Sequence, residues 1–544
     1  MNPFRTRTLL LVAAAIAVSA QASPPAASPP AAAPPTASQA ATGDAGAPTA
    51  IDTAGATAIV DGIHALLVQM LGGFAPAASL LTATAQGDHY RVEIPIAHRW
   101  KGGGIGGDSI GANLIPLGHG RWRIAKGAMP GRVDVSFDHP PPGAPSSMTV
   151  TIKQNSFSGV IDTSLATESR IASHGTGMAA TSQGPQVNSS ARIDSFAGLT
   201  TVSPARDGRV TLVSTSRMQG MHTRATTGKQ VTSSDLASAG GTLRIRGLSL
   251  AALQEAVHAL ATMAALPPAP PAGAPPAANA QPGPATSPAM RKELHALIAA
   301  LARSGTSISM HQSQKGLVLH GNGPIQGSIG HMGFGMRLAD ASNELSLALD
   351  IELDHPSFAA IPPGLMTEFL PSHLVVQPRL SGIDAATLRH SLDAMVDNPQ
   401  PMAGLGMVMA MLAAHPATLA IDKLAVDTGP ARITGHGTVT TSGPSQVHGS
   451  GTVRVVGLDA AMQMLSADPQ GKQAVAGLIF LKGLGKQEGK AMVWRVTYDG
   501  TKLLVNGNDL SSMMPGGAPA GAPPGAPPSG PGGAAPGAPA PPHP

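Results

Sequence analysis

Three stretches of this chain share one order of residues: an alternating run, a glycine, an apolar residue, Ser or Asp, and then a helix-like run. Glycine permits the sharp backbone turn that ends a strand. Ser and Asp are preferred helix N-caps, because their side chains accept hydrogen bonds from the first free helical N–H groups. The pattern therefore predicts a repeated β–α unit. Its glycines are Gly247, Gly382 and Gly457, and its predicted N-caps are Ser249, Asp384 and Asp459.

The apolar residue before each predicted cap also has a structural explanation. A hydrophobic staple would pack it against the fourth helical residue, which is Leu253 in the first copy and Leu388 in the second. The third copy has Gln463 there and lacks the staple. Capping and packing account for the pattern, so we interpret it as architecture and not as a binding site.

Strict alternation of apolar and polar residues marks the strands between these units. From Leu345 to Asp354, Leu and Ile occupy one set of positions while Ser, Asp and Glu dominate the other. A period of two is typical of a half-buried antiparallel strand. Shorter alternating runs occur at Val133–Phe137, Met148–Ile152, Leu243–Ile245, Leu419–Ile421 and Val453–Val455. The sequence therefore predicts a β-rich α+β fold.

Three stretches rich in proline divide the chain. Residues 23–50, 267–288 and 515–544 lack hydrophobic periodicity, so they cannot bury enough apolar surface to order themselves. We interpret them as a disordered leader, a linker and a disordered tail. They leave two β-rich halves, residues 51–266 and 289–514, and a helical apolar pattern opens each half.

Two Asp-His-Pro tripeptides suggest that the halves are duplicates. Asp138 begins the first tripeptide and Asp354 the second, and each follows an alternating strand. The distance to the later glycine of the β–α unit is 247 − 138 = 109 residues in one half and 457 − 354 = 103 in the other. Similar order at similar spacing favours a tandem duplication, with two chance tripeptides as the alternative.

The N-terminus has the features of a secretory signal peptide. Arg5 and Arg7 precede an apolar run, and Ala20-Gln21-Ala22 offers a small-x-small cleavage site. A membrane anchor is the alternative, but the run has about half of the ~20 residues that a spanning helix needs. We expect residues 1–22 to be removed, no transmembrane segment afterwards, and a periplasmic or secreted protein. The chain has no cysteine, which excludes disulfides and thiolate chemistry.

Composition excludes several classes of partner. Aromatic residues are 3% of the chain, too few for the stacking platforms that bind nucleobases or carbohydrates. The net charge of +4 is spread thinly, without a cluster of Lys or Arg. We therefore expect no nucleic-acid partner.

The glycine-rich run from Gly102 to Gly111 is the nearest approach to a catalytic motif. It lacks the Gly-Lys-Ser/Thr ending of a phosphate-binding loop. An esterase of the Gly-Asp-Ser type would use Ser109 and a downstream Asp-x-x-His, but the similar Asp61-Gly-Ile-His64 lies upstream. We predict an ordinary flexible loop here.

The 19 histidines show no spacing typical of a metal site. We predict solvated turns at the His-Gly pairs. Asp138-His139 and Asp354-His355 could orient an imidazole, but the following proline favours a turn that ends a strand. Residues 402–411, rich in methionine, are expected to form a core helix or an adaptable apolar surface. No catalytic, cofactor-binding or metal-binding residue is assigned, and we expect neither a cofactor nor an enzyme.

The later part of the chain, residues 345–512, resembles an alphaproteobacterial family of exported proteins of unknown function, distantly similar to the YdgA and AsmA-type envelope proteins. The resemblance is carried by the strand at 345–353, the units at Gly382 and Gly457, and the closing run from Val493 to Gly507. It implies two tandem halves of long, curved antiparallel sheet with short packing helices. AsmA-type relatives are associated with lipid handling through an apolar β-groove.

Two hypotheses follow from the sequence. The first is an envelope protein whose curved sheet binds a lipid or another apolar ligand, because the strands are one-sided and aliphatic. The second is a structural or interaction protein whose sheets pack into cores and whose Pro-rich tails reach cell-wall or envelope proteins. They differ in whether the apolar sheet faces are accessible.

Overall fold

The computed structural model describes residues 51–71, 77–138, 145–249, 306–384 and 416–511, the last four with short internal gaps, and a few single residues between 291 and 299 and between 386 and 396. The predicted signal peptide, leader, linker and tail lie outside these residues, as do the staple positions Leu253 and Leu388 and the methionine-rich run 402–411. The helices are α1 (Thr53–Leu71), α2 (Leu365–Glu368), α3 (Leu458–Ala467) and α4 (Lys472–Leu484), with a 3-10 turn at Ala78–Leu80.

Most of the described chain is β-structure. The strands are β1 (Thr82–Gln86), β2 (His89–Ile94), β3 (His98–Trp100), β4 (Gly103–Gly107), β5 (Ile110–Gly118), β6 (Arg121–Ala128), β7 (Arg132–Phe137), β8 (Ser147–Asp162), β9 (Ser169–Gln183), β10 (Val187–Pro204), β11 (Arg209–Thr227), β12 (Gln230–Ser249), β13 (Ser307–Gly321), β14 (Gly327–Ala341), β15 (Glu344–Asp354), β16 (Ser357–Phe358), β17 (His373–Asp384), β18 (Ala417–Asp427), β19 (Arg432–Thr441), β20 (Val447–Val456), β21 (Lys486–Glu488), β22 (Ala491–Tyr498), β23 (Leu503–Val505) and β24 (Asn508–Asp509).

These strands form one long, open antiparallel sheet. Its main order is β1-β2-β5-β6-β8 and then β9 to β15 in sequence, followed by β17-β18-β19-β20-β22-β23-β24. Strand β8 also pairs with β7, which continues to β4 and β3. The predicted β-rich antiparallel fold is confirmed, and all six alternating runs named above lie in strands.

The two halves share this sheet. Strand β12 of the first half pairs with β13 of the second, from Thr232 opposite Gly321 to Arg246 opposite Ser307. The number of strands between each Asp-His-Pro tripeptide and the later glycine differs between the two halves. The path from β7 to β12 contains six strands in pairing order, whereas the path from β15 to β20 contains five. The similar spacing in residues therefore does not reflect a strand-for-strand repeat.

A row of interrupted pairing crosses the sheet from β8 to the end of β15, and we call it the transverse row. At one position in each neighbouring pair of strands from β8 to β14 the direct pairing is skipped, while the flanking positions remain paired. The row continues from Gly330 to His355, because the adjacent pair is His331 opposite Asp354. Its members are Lys153, Gly177, Asp194, Gly220, Ala237, Gly316 and Gly330, one on each strand from β8 to β14, and His355, which directly follows β15.

Every second member of the transverse row has a left-handed backbone. The φ angles are 63° at Gly177, 61° at Gly220, 65° at Gly316 and 47° at His355. This region is open to glycine but costs other residues about 1–2 kcal/mol. A left-handed residue leaves the extended conformation, so direct pairing is interrupted at the same level of the sheet while β9, β11 and β13 continue on both sides. The interruptions stay in register from β8 to β14, so they form one continuous feature of the sheet.

The three glycines of the predicted β–α unit all have left-handed backbones, with φ of 75° at Gly247, 79° at Gly382 and 84° at Gly457. The predicted turn at the end of the strand is confirmed at Gly457, because β20 ends at Val456, but it is wrong at Gly247 and Gly382, where β12 and β17 continue for two more residues. The predicted N-cap is wrong in the third copy, because Gly457 itself is the N-cap of α3 and Asp459 lies in the first helical turn. Asp459 instead binds Lys482 of α4, with 2.5 Å between Oδ1 and Nζ. Ser249 and Asp384 end strands β12 and β17.

Three clusters of buried side chains lie along the described part of the sheet. At the N-terminal end, α1 packs Ala56 and Ile59 against Tyr90 and Val92 of β2. The second cluster lies on β7, β8 and β9 around Val133, Val135, Met148, Val150 and Ala180. The third joins Leu345 of β15 to Ile383 of β17. The core is therefore distributed along the sheet, in keeping with its elongated pairing order.

Candidate functional site

The strands from β14 to β19 separate apolar from polar side chains. On β15 the apolar positions 345, 347, 349, 351 and 353 face one way, and Asp350, Glu352 and Asp354 face the other, because side chains alternate along a strand. Cross-strand pairing continues the apolar face onto both neighbours. Phe334 of β14 and Val376 of β17 are both opposite Ile351. This part of the sheet therefore has one aliphatic face and one charged face.

Four large aliphatic side chains on the apolar face are exposed, and we call them the apolar band. They are Ile351 on β15 (39% exposed), Leu419 (44%) and Ile421 (39%) on β18, and Val439 on β19 (41%). Leu419 lies directly opposite Val439 on one side and Leu380 of β17 on the other. Half-buried Val376 and Leu380 on β17 bridge the band, so its members form a continuous apolar surface.

The opposite face of the same strands is held by ion pairs. Arg379 of β17 donates two hydrogen bonds to Asp422 of β18, each 2.8 Å long. Arg432 of β19 donates two to Asp427 of β18, each 2.7 Å long. The Arg379 hydrogen bond lowers the pKa of Asp422. Paired charges on one side and exposed aliphatic groups on the other make this region strongly two-sided.

Four polar side chains converge at the β14, β15 and β17 end of the charged face. Asp354 lies between two imidazoles, with His373 Nδ1 at 2.5 Å from Oδ1 and His331 Nδ1 at 3.2 Å from Oδ2. Glu352 Oε1 is 4.0 Å from His331 Nδ1. Burial opposes ionisation of Asp354, yet the hydrogen bonds and charges of His373 and His331 lower its pKa overall.

A second carboxylate between two imidazoles lies on β11, β12 and β13. Asp235 of β12 accepts from His222 Nδ1 at 2.7 Å and from His320 Nε2 at 2.9 Å. The hydrogen bonds from His222 and then His320 lower the pKa of Asp235. Among the described residues this triad has no second carboxylate within chelating reach, which distinguishes it from the cluster at Asp354.

Helix α4 carries a separate apolar surface. Ile479, Phe480 and Leu481 are each about half exposed, and none of the residues of this helix is buried. The helix is attached at its C-terminal end, where Trp494 Nε1 donates to the Leu481 carbonyl at 2.7 Å. An open groove lined by polar side chains lies elsewhere, around Ser182, Ser189 and Arg224 at one end of β8–β11, and its lining does not suit an apolar ligand.

The glycine-rich run is mostly strand from Gly103 onward, so the prediction of a loop is wrong there, while Gly102 lies outside the described residues. Residues 103–107 form β4, paired with β3 and β7, and β5 begins at Ile110. Its glycines permit close packing, because a Cβ at Gly107 would lie 2.4 Å from the Arg132 carbonyl oxygen. Ser109 is exposed in the β4–β5 connection, and none of the hydrogen bonds recorded for the described chain joins it to Asp61 or His64.

The structure confirms some of the turns predicted at histidines and contradicts others. His119 occupies the β5–β6 turn with a φ of 52°, as predicted. The other four His-Gly pairs, at His174, His320, His436 and His448, lie within strands, so the predicted turns are wrong there. Asp354-His355 ends β15 in a turn, as predicted, but the imidazoles that Asp354 contacts belong to His331 and His373. The alternating pattern of β15 does not reveal these two histidines, because they lie on β14 and β17.

Comparison of the chain with protein-family models, with characterised proteins and with solved structures finds no match. Within the described ranges, none of the helices has both the length and the apolar character needed to cross a membrane.

Proposed function

We propose that this chain is an exported envelope protein that binds a lipid or another apolar ligand on the apolar band. The observation that carries the proposal is the exposure of Ile351, Leu419, Ile421 and Val439 on one sheet face. Scattered exposed aliphatic residues are ordinary, but a continuous apolar surface marks a binding site in many proteins.

The chemistry of the band favours an aliphatic ligand. Its four members are Leu, Ile and Val, Phe334 beside Ile351 is an aromatic neighbour, and the ion-paired groups of β17, β18 and β19 lie on the opposite face. Neighbouring strands are about 4.8 Å apart, so the band extends ~14 Å from β15 to β19. Burial of apolar surface contributes roughly 25 cal/mol per Å², which favours an elongated ligand that covers several strands.

The N-terminal sequence supports the envelope as the location. Arg5, Arg7, the apolar run that follows them and Ala20-Gln21-Ala22 have the order of a cleaved signal peptide. Mass spectrometry of the protein from its host should find a mature chain that begins at Ser23. An uncleaved N-terminus in the cytoplasmic fraction would contradict the location.

The binding test compares two variants that remove the same number of exposed aliphatic side chains. The first is L419S/V439S in the apolar band, and the second is I479S/L481S on α4. Titration of a fluorescent long-chain fatty acid should show saturable binding to the wild type. We expect the first variant to weaken it at least tenfold and the second to leave it unchanged, because only the first alters the sheet surface.

Three results would contradict the proposal. Absence of saturable binding would favour the structural or interaction role in its place. Equal losses in both variants would mean that the probe senses exposed hydrophobicity in general. Loss of binding in I479S/L481S alone would mean that the apolar ligand binds to α4. Circular dichroism of both variants checks that the sheet is retained.

A further inference from the structure

We propose that His331, Glu352 and Asp354 bind a divalent transition-metal ion on the charged face of the sheet, with His373 as a positioning residue. This site is independent of the apolar band, which lies on the other face.

The first argument is the convergence of the three donor groups. One ligand atom from each of His331, Glu352 and Asp354 lies within 4.8 Å of the other two. In a tetrahedral zinc site, with bonds of about 2.1 Å, neighbouring ligand atoms lie ~3.4 Å apart. The His331–Asp354 distance of 3.2 Å already matches this spacing, and the His331–Glu352 distance of 4.0 Å requires a small rotation of an exposed side chain.

The backbone around the cluster leaves room for this rotation. Gly333 lies between His331 and Gly335 on the same face of β14, directly opposite Glu352. A Cβ at Gly333 would lie 3.5 Å from Glu352 Oε2 and 3.6 Å from His331 Cε1. Because glycine has no side chain, Glu352 and His331 can lean over β14 toward each other.

A buried hydroxyl in the same cross-strand row as Glu352 is a second observation. Ser313 of β13 is opposite Gly333, which is opposite Glu352, so the three lie in one row on the same face. Ser313 is 1% exposed, and its Oγ has no hydrogen-bond partner. A buried hydroxyl without a partner is costly. Because Gly333 between Ser313 and Glu352 has no side chain, a water bound to the metal over Gly333 would offer one.

The donor set indicates the class of ion. One imidazole with two carboxylates suits zinc or a neighbouring first-row metal, whereas magnesium and calcium prefer oxygen ligands alone. His373 contacts Asp354 from the far side at 2.5 Å, the arrangement in which a second group orients a metal-binding carboxylate. All four side chains are between 19% and 38% exposed, so an ion can enter from solvent.

The test is calorimetric titration of the untagged, mature chain with zinc, in the presence of excess magnesium. We expect one site tighter than any other, weakened at least tenfold by H331A and by E352Q. Removal of an orienting partner costs about 10- to 100-fold in metal affinity, so H373Q should also weaken the site. Cobalt should give visible absorption bands whose shape changes in H373Q.

The matched control is H222A/H320A, which removes two imidazoles from the triad at Asp235. We expect this variant to keep the tight site, because that triad lacks a second carboxylate. The proposal is overturned if zinc affinity is the same in E352Q and the wild type, if H222A/H320A causes an equal loss, or if magnesium displaces zinc at similar concentrations. E352Q preserves side-chain size on a partly exposed strand position, so misfolding does not obscure the result.

Discussion

Gly330 on β14 lies opposite His355, and a Cβ added to Gly330 would be 3.3 Å from the His355 Cβ. His355 has a φ of 47° and occupies the place in the transverse row that glycine fills on β9, β11 and β13. The row therefore ends on a residue that adopts the left-handed backbone at a cost. This relationship makes His355 a test of whether the row constrains stability.

Replacing His355 with glycine should stabilise the protein. Relief of left-handed strain is worth about 1–2 kcal/mol, and the added freedom of glycine in the unfolded chain offsets 0.5–1 of it, to leave ~0.5–1 kcal/mol. Calorimetry should show a higher midpoint of thermal unfolding. His355→Ala keeps the strain, so its unfolding midpoint should not exceed that of the wild type. A lower midpoint for His355→Gly would show that the imidazole itself stabilises the turn.

Gly457 should be far less tolerant of substitution than Gly489. Both are left-handed, with φ of 84° and 65°, but only Gly457 lies against another backbone segment. An added Cβ would be 2.3 Å from the Pro430 carbonyl oxygen at Gly457, whereas it would have no neighbour within 4 Å at Gly489.

The variant Gly489→Ala should therefore lose only the conformational term, about 1–2 kcal/mol. Gly457→Ala must also displace the chain at Pro430, so we expect a loss larger by at least ~1 kcal/mol. Chemical denaturation of the two variants measures the difference. Equal losses would mean that the β–α turn relaxes freely around Gly457.

The features predictable from the sequence are those with a local cause. Alternation in residues 345–354 identified β15, because a strand with one buried face imposes a period of two. Gly247, Gly382 and Gly457 were recognisable as positions of special backbone conformation, and all three have a positive φ, but the strand ends at the glycine only in the Gly457 copy. The run from Gly103 to Gly107 was mistaken for a loop, because glycine lowers strand propensity and the close approach of β7 is a tertiary effect.

The long-range features had no local signal. The transverse row joins residues on seven strands and His355 just after β15, and only the register of all the strands together aligns them. His331 and His373 lie 23 and 19 residues from Asp354, so no spacing rule connects them. The acidic side of β15 was visible in the sequence, but the partners that make it a candidate metal site come from the neighbouring strands.

Asn506 joins three parts of the C-terminal region, and its loss should be costly. Its side-chain amide donates to the Leu484 carbonyl at 2.8 Å and the Val493 carbonyl at 2.9 Å, and its Oδ1 accepts from the Arg495 N–H at 2.9 Å. These bonds connect the end of α4 to β22. Asn also tolerates the φ of 49° better than most residues.

We expect Asn506→Ala to lower the free energy of unfolding by about 2–4 kcal/mol, from three hydrogen bonds and the strained backbone. Asn506→Gly removes the same hydrogen bonds, but glycine adopts a φ of 49° without strain, so this variant should lose less stability than the alanine variant. Hydrogen exchange at Val493 and Arg495 would report the local opening. Unchanged exchange in both variants would show that the bonds contribute little.

Asp499 should make the β22–β23 hairpin sensitive to acid. Its Oδ1 accepts from the N–H groups of Thr501 (2.9 Å) and Lys502 (2.7 Å) and from the Thr501 hydroxyl (2.8 Å). The backbone N–H of Lys502, followed by those Thr501 donors, lowers the pKa of Asp499 to about 2. A lowered folded-state pKa means that ionisation stabilises the folded hairpin.

This contribution is complete above the unfolded pKa of about 4 and disappears as the pH falls toward 2. Asp499→Asn keeps an oxygen acceptor but cannot titrate, so its unfolding midpoint should lie below that of the wild type at pH 6 and approach it at pH 2. Parallel curves for the two proteins between pH 6 and pH 2 would contradict the assignment. Because Asp499 is exposed, the difference should also shrink in high salt, since solvent ions screen its charge.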